Sequence, residues 1–356
     1  MRATRESEGD EAIHAVRAAL REYASPELHS SFIAEEMPGG ASTRRFFRLS
    51  APGHHNLVAM YVPLPSQEIA KARQVRGIEP FLEVQSLLSD AGVPVPRLHH
   101  GAAHHQVLLV EDLGDDTLAH YLTHSEQHRQ NLYVRAVKDL ARAQDLLGTL
   151  PADSIVRQRA FDSDLLRWEI EHFRDWALLA RGVSLAEADL RVFDAAAEYL
   201  ATTIAEWPRG FVHRDYQSRN LMVRAGDLPD HPELVWIDFQ DAMLGPRVYD
   251  LVALLTDSYQ TFSREFIEAR LLDYCRALDR EQEFERICYE FDVVTVQRKL
   301  KDAGRFVFLE RMNDNPSFLA YVEPTIEKAR RALRRVNEPG PLADLDALLT
   351  RLFGSI

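Results

Sequence analysis

Residues 211–250 read FVHRDYQSRNLMVRAGDLPDHPELVWIDFQDAMLGPRVYD. An apolar, strand-like run ends at Val212 and delivers His213, Arg214 and Asp215 into a loop, and Asn220 follows five residues after Asp215. A second apolar strand, Leu234 to Ile237, ends at Asp238. Phosphoryl transfer needs a carboxylate to take the proton of the attacking hydroxyl, and separate oxygen ligands to hold magnesium against nucleotide phosphates. Asp215 suits the first role; Asn220 and Asp238 suit the second.

The order H-R-D-x-x-x-x-N, followed by D-F-Q where D-F-G normally stands, is that of kinase catalytic loops. The HxDxxxxN run at His213 to Asn220 and the IDFxDAxxG run at Ile237 to Gly245, with Asp250-Leu251, resemble the aminoglycoside phosphotransferase family. These are small-molecule kinases of protein-kinase-like fold. Within that family, HRDYQSRNLM and IDFQDAMLGPRVYDL are most similar to the anomeric sugar kinases that act on N-acetylmuramate and N-acetylglucosamine in cell-wall (peptidoglycan) recycling. The resemblance implies an α+β, bilobal architecture, with a small β-sheet N-lobe over residues 1–112 and a mostly helical C-lobe over 113–356. It also implies ATP as phosphoryl donor and Mg2+ as cofactor. His213 is expected to orient the loop without doing chemistry, and Asp250 to cap a helix or tie the loop rather than bind metal. Asp238 and Asp250 are 12 residues apart, too few for a long activation segment, so Arg214 is left for substrate or loop structure.

Composition agrees with a globular enzyme: 46% hydrophobic and 27% charged residues in 356 suffice for one large core or two modest ones. The 42 basic and 55 acidic residues give a net charge of −13, which opposes general attraction to nucleic acid or anionic membrane. A phosphate-handling site must therefore gather positive charge locally. Two cysteines, Cys275 and Cys288, make no disulfide framework and fit a reducing cytoplasm. Residues 1–10 lack a signal-peptide core, and no apolar run approaches a membrane span. A small-molecule sugar is the expected partner, with no nucleic acid and no membrane.

Taken in order, Ile13, Val16, Ala19 and Leu20 predict a helix over Glu11 to Tyr23, and a second short helix is expected before Met37-Pro38-Gly39-Gly40. GGASTRRFFRLS then leads into a strand, with Asn56 to Val62 as its partner. Given the downstream motifs, Gly40, Ala41, Ser42, Thr43 and Arg44 are placed above the nucleotide, their backbone amides covering phosphates. The partner strand reads Val58-Ala59-Met60-Tyr61, where kinases of this fold carry a lysine for the α- and β-phosphates. The sugar kinases it resembles also tend to lack that lysine, so phosphate charge must be met by magnesium, backbone amides or an arginine from elsewhere. Ser66 to Ala91 is helical by period, ended by Gly92. Two strands follow, Arg97 to His100 and Gln106 to Val110, joined by a turn with His104 and His105. The histidine doublets raise a metal reading, opposed by the lack of a carboxylate or cysteine nearby in sequence. Glu111, Asp112 and Leu113 stand where a kinase hinge offers backbone groups to adenine.

From Asp116 onward, apolar residues at three-to-four spacing predict a succession of helices. In one of them, QRKLKDAGRF at Gln297 to Phe306 resembles the sugar-kinase segment that builds the acceptor pocket. That resemblance assigns Arg298, Lys301 and Arg305 to substrate, and Arg214, Gln217 and Arg219 add donors in the catalytic loop. Arg298, then Arg305, is the first choice for binding the carboxylate that distinguishes N-acetylmuramate from N-acetylglucosamine. Two alternatives stay open. One is a kinase for another small alcohol, such as an aminoglycoside or a choline-like acceptor. The other is a nucleotide-binding pseudokinase, which the missing lysine and Gln240 favour and the retention of Asp215, Asn220 and Asp238 opposes.

Overall fold

The computed structural model describes residues 2–38, 43–64, 77–224, 232–258 and 260–354, apart from the side chains of 2–10 and 313. The chain forms two compact units: Met1–Glu126 with Arg219–Asp241, and Gln127–Ser218 with Ala242–Ile356.

The first unit is built on an antiparallel sheet of order β1-β2-β3-β5-β4, with β1 at Ile33–Glu36, β2 at Arg45–Ser50, β3 at Leu57–Tyr61, β4 at Leu98–Ala102 and β5 at Val107–Glu111. Helix α1, Arg2–Tyr23, lies on this sheet because Ala12, Val16, Ala19 and Leu20 recur at helical spacing. All four are buried against Phe47, Leu49, Leu57, Ala59, Val107 and Leu109. Each fully buried Val or Leu there contributes roughly 1.5–3 kcal/mol, so α1 is a structural part of the unit. A six-residue helix α2, Pro26–Ser31, is capped by the Ser25 hydroxyl, which accepts from the Leu28 N–H.

The sequence missed β1, an almost fully exposed edge strand whose Ile33-Ala34-Glu35-Glu36 has no strong strand pattern. Its pairing with β2, Ile33 opposite Ser50, decides it. Helix α3 runs Glu79–Asp90, shorter than the expected Ser66 to Ala91. It is preceded by a turn at Gly77 with φ 52°, and residues 65–76 lie outside the described residues. The unit is completed by α4, Leu118–His124, and by a hairpin of Leu221–Arg224 with Glu233–Trp236. The hairpin's first strand was another omission. It is tied down by Val223 N–H to Asp116 O and Trp236 N–H to Pro94 O.

The second unit is helical: α5 Arg129–Leu146, α6 Ile155–Gln158, α7 Ser163–His172, α8 Glu187–Glu206, α9 Tyr249–Leu255, α10 Arg264–Ala277, α11 Phe284–Asn313, α12 Val322–Val336 and α13 Pro341–Phe353. A small antiparallel pair, Arg209–Val212 with Met243–Pro246, sits among them, and its second strand was not foreseen. The helical succession expected after Asp116 is interrupted at one point: α7 stops at His172, and Phe173–Leu178 is π-helical. Gly304 of α11 packs against that break, and a Cβ there would lie 2.2 Å from His172 O. The glycine of the GRF motif therefore permits close approach of two backbones. Among the described residues, no helix is long and apolar enough to cross a membrane.

Candidate active site

In the first unit, the hairpin explains why two distant polar residues meet. Leu221 pairs with Trp236, and Ile237 N–H donates to Asn220 O at 3.0 Å. Asn220 and Asp238 thus emerge at the same end of one hairpin, and both border a cavity of about 530 Å³. Asp238 has φ 64°, a left-handed conformation unfavourable for a residue with a Cβ. Its neighbour Phe239 is buried and packs on Phe81 of α3, with ring centroids 4.8 Å apart. Gln240, in place of the usual glycine, donates from Nε2 to Asp238 Oδ1 at 3.0 Å.

Val58, Met60, Val110, Met222 and Ile237 supply apolar walls of that cavity, and Glu111, Asp112 and Leu113 its edge. Such a chamber, apolar with a few convergent polar groups, suits a planar base with attached phosphates. The hinge side chains are engaged in structure: Glu111 accepts from Arg224 at 2.7 Å, and Asp112 pairs with Arg48 at 2.8 Å. Met60 of β3 is buried and borders the cavity, and β3 brings no lysine to it. Positive charge comes instead from Arg44, which lines the cavity and whose Nη2 lies 2.8 Å from Asp238 Oδ1. Of the other residues placed above the nucleotide, Thr43 is exposed, while Gly40, Ala41 and Ser42 lie outside the described residues. An amide oxygen from Asn220 and a carboxylate from Asp238 form the hard, oxygen-only donor set that magnesium prefers, so these residues fit that ion.

In the second unit, the catalytic loop is fastened at several points. Asp250, buried at the start of α9, accepts the N–H of His213 at 2.6 Å and of Arg214 at 3.0 Å. This ties the loop, as expected of Asp250, and it holds Arg214 at φ 80°, a strain of about 1–3 kcal/mol. Burial raises the Asp250 carboxyl to about 7, against the pull of those two N–H donors and Arg298. The buried ring of His213 sits edge-on to Tyr216, whose hydroxyl donates to Ala136 O at 3.0 Å. Ser218 donates to Asp257 at 2.5 Å.

Asp215 itself is met by Arg298 of α11. Arg298 is 2% exposed, stacks over Tyr249 at 4.6 Å, and donates to Arg214 O at 2.9 Å and to Asp215 Oδ1 at 3.3 Å. Burial alone would raise the Asp215 pKa, but the charges of Arg298, Lys301 and Arg214 hold it below the ordinary carboxylate value. Asp215 is therefore ionised at neutral pH. Lys301 lies 3.2 Å from Asp302 Oδ1, and Arg305 is exposed, its guanidinium over Phe308 at 4.8 Å. Gln217 is half-buried in the loop, with its N–H on Asp215 O at 2.9 Å. Arg219 is exposed and belongs to the first unit.

Two acidic residues here escaped the sequence reading. Glu169 of α7, 2% exposed, accepts from Gln297 at 3.0 Å and lies 3.7 Å from Arg214. Asp302 binds Lys299 at 2.8 Å and Lys301 at 3.2 Å. Asp302 had a signal in the i,i+3 and i,i+4 spacing from Lys299 and Arg298. Glu169, 45 residues before Arg214, had none.

The first unit holds a cavity bordered by Asn220 and Asp238, and the second an HRD loop tied by Asp250, each of the kind that phosphoryl transfer calls for. The chain belongs to the phosphotransferase enzyme family, whose profile matches residues 33–284. It is 32% identical over 329 residues to an N-acetylmuramate/N-acetylglucosamine kinase of Pseudomonas aeruginosa, covering 90% of this chain and 89% of that one. A protein of the same description from Neisseria meningitidis serogroup B is 28% identical over 324 residues, covering 88% and 89%. Among solved structures, choline kinase from Cryptosporidium parvum shares the fold with a TM-score of 0.62 at 13% identity, over 94% of this chain and 99% of that one. The kinase-like α+β fold is thereby shown.

Proposed function

We propose that the chain transfers the γ-phosphoryl group of ATP to the anomeric hydroxyl of N-acetylmuramate, N-acetylglucosamine or both, as a cytoplasmic enzyme of peptidoglycan recycling. Residues 1–112, joined in one compact unit by 113–126 and 219–241, act as the nucleotide lobe, and the rest of 113–356 as the helical lobe carrying the loop and acceptor pocket. What supports the acceptor is the 32% identity, over 329 residues, to an N-acetylmuramate/N-acetylglucosamine kinase. Arg298, Lys301 and Arg214, gathered about Asp215 and its acidic neighbours, supply donors that a carboxylate-bearing acceptor can use.

Asp215, ionised, accepts the hydroxyl proton as the oxygen attacks phosphorus and the bond to ADP breaks. An anomeric hydroxyl is more acidic than other sugar hydroxyls, so a weak base suffices in a loose transition state. Asn220 and Asp238 would hold magnesium, which when bound neutralises charge on the phosphates. Arg44 supplies the cation that β3 lacks, and the backbone at Asp112 and Leu113 faces the base. Arg298 acts through Asp215, holding it in place. Its burial and two hydrogen bonds support this over direct contact with the sugar, leaving Lys301, Arg305 and Arg214 for the lactyl carboxylate.

The test is a screen of amino sugars, aminoglycosides and choline with ATP and Mg2+, with product regiochemistry read by phosphorus NMR. An α- or β-1-phosphate from N-acetylmuramate or N-acetylglucosamine is expected. Turnover only with a cationic alcohol would overturn the acceptor assignment, and nucleotide binding without any turnover would favour a pseudokinase.

A further inference from the structure

The histidine doublets find the carboxylate that the sequence did not place near them. Glu22 lies in the last turn of α1, 82 residues before His104. The short 3-10 turn Ala103–His105, between β4 and β5, sets the rings of His104 and His105 side by side with centroids 4.3 Å apart. His104 Nε2 lies 2.6 Å and His105 Nε2 3.0 Å from Glu22 Oε1. His100 of β4 reaches the other carboxylate oxygen at 3.2 Å. The ligand atoms of Glu22, His104 and His105 all fall within 4.8 Å of one another.

We propose that Glu22, His104 and His105 form a surface site for a divalent transition metal of the zinc type, separate from the phosphoryl-transfer chemistry. Two imidazoles and a carboxylate are the donors zinc accepts in open, three-ligand sites. Tetrahedral arms of about 2.0–2.1 Å would bring the donor atoms about 3.3 Å apart, which small ring rotations from the present spacing achieve. His100, on the second oxygen of Glu22, orients the carboxylate as outer-shell partners do. It also stands close enough to compete with water for the fourth position. Both supports are rigid: α1 is anchored by Val16, Ala19 and Leu20, and the turn is held between two paired strands. Imidazole ligands disfavour magnesium, which prefers oxygen donors, so the site discriminates against the ion needed for phosphoryl transfer. A bound ion would cross-link the end of α1 to the β4–β5 turn and stabilise the folded state by mass action.

The test is calorimetric titration of untagged, full-length protein with ZnCl2 in excess Mg2+ at neutral pH. It is compared with Glu22→Gln and with the double variant His104→Ala/His105→Ala. These side chains are at least partly exposed, so the melting temperatures of the metal-free variants should stay near wild type. One zinc equivalent is expected in the wild type, with affinity lowered tenfold or more in each variant and a zinc-dependent rise in melting temperature that the double variant loses. A histidine pair elsewhere, such as His120 and His124, would bind equally in all three proteins. Equal binding, a loss under tenfold, or no saturable binding to the wild type overturns the proposal.

Discussion

The Arg44 guanidinium lies 2.8 Å from Asp238 Oδ1, the two side chains meeting at the edge of the nucleotide-sized cavity. A cation from the segment before β2 thus stands at the carboxylate assigned to metal, while β3 brings only Val58 and Met60 to the cavity. Arg44→Ala should lower kcat/KM for ATP by roughly 10- to 150-fold, the equivalent of about 1.5–3 kcal/mol for hydrogen bonds to charged groups. Steady-state kinetics with ATP varied at saturating sugar decides it. Unchanged kcat/KM would leave phosphate binding to backbone and metal alone.

Asp215→Asn should retain the fold and nucleotide affinity but lower kcat by about 100-fold or more, the usual range for loss of a general base. Near-native turnover would show that positioning, not this carboxylate, carries the step.

Arg298 touches Asp215 directly, whereas Lys301 acts on it only through its charge. Arg298→Lys breaks a two-point hold on the loop, because a single ammonium cannot replace the guanidinium fork. It should lower kcat for both sugars equally and leave KM for each nearly unchanged. Lys301→Ala or Arg305→Ala should instead weaken N-acetylmuramate by about 1.5–3 kcal/mol with little effect on N-acetylglucosamine. Parallel losses for both sugars in all three variants would remove the carboxylate-reading role from Lys301 and Arg305.

Asp302 supplies a pH test. Burial raises its pKa, yet Lys299, Lys301 and Arg298 together depress it well below the ordinary 3.8. A group depressed on folding contributes stability that is complete above its unfolded pKa and is lost as pH falls through the folded one. The wild type should therefore lose stability below about pH 4 more steeply than Asp302→Asn. At neutral pH that variant should be less stable by about 3–5 kcal/mol, the cost of breaking a buried ion pair. Denaturant unfolding at several pH values reads both, and parallel pH curves would refute the assignment.

Gly304→Ala places a methyl group 2.2 Å from His172 O and 2.7 Å from Phe173 N, both backbone atoms. Helix α11 must then shift away from the α7 break, and a loss of about 1–3 kcal/mol is expected from overpacking. A melting temperature equal to wild type would mean that this contact is loose.

The sequence by itself determined the order of the machinery. Strand, HRD loop, asparagine, strand and DFQ are local in the chain, and strand alternation and loop spacing are local signals. The helical succession after residue 116 was legible for the same reason, since burial of one helix face imprints a three-to-four period. Weak or very short strands were not. Ile33–Glu36 and Met243–Pro246 become strands only because a partner strand supplies their hydrogen bonds. The loop-tying role of Asp250 was legible from its motif, but tertiary structure alone decided other polar pairings: Arg298 with Asp215 across 83 residues, and Glu22 with His104. No period or motif records such contacts. A buried charge finds whichever opposite charge the packing of distant helices brings within reach, and that is settled when the backbones dock.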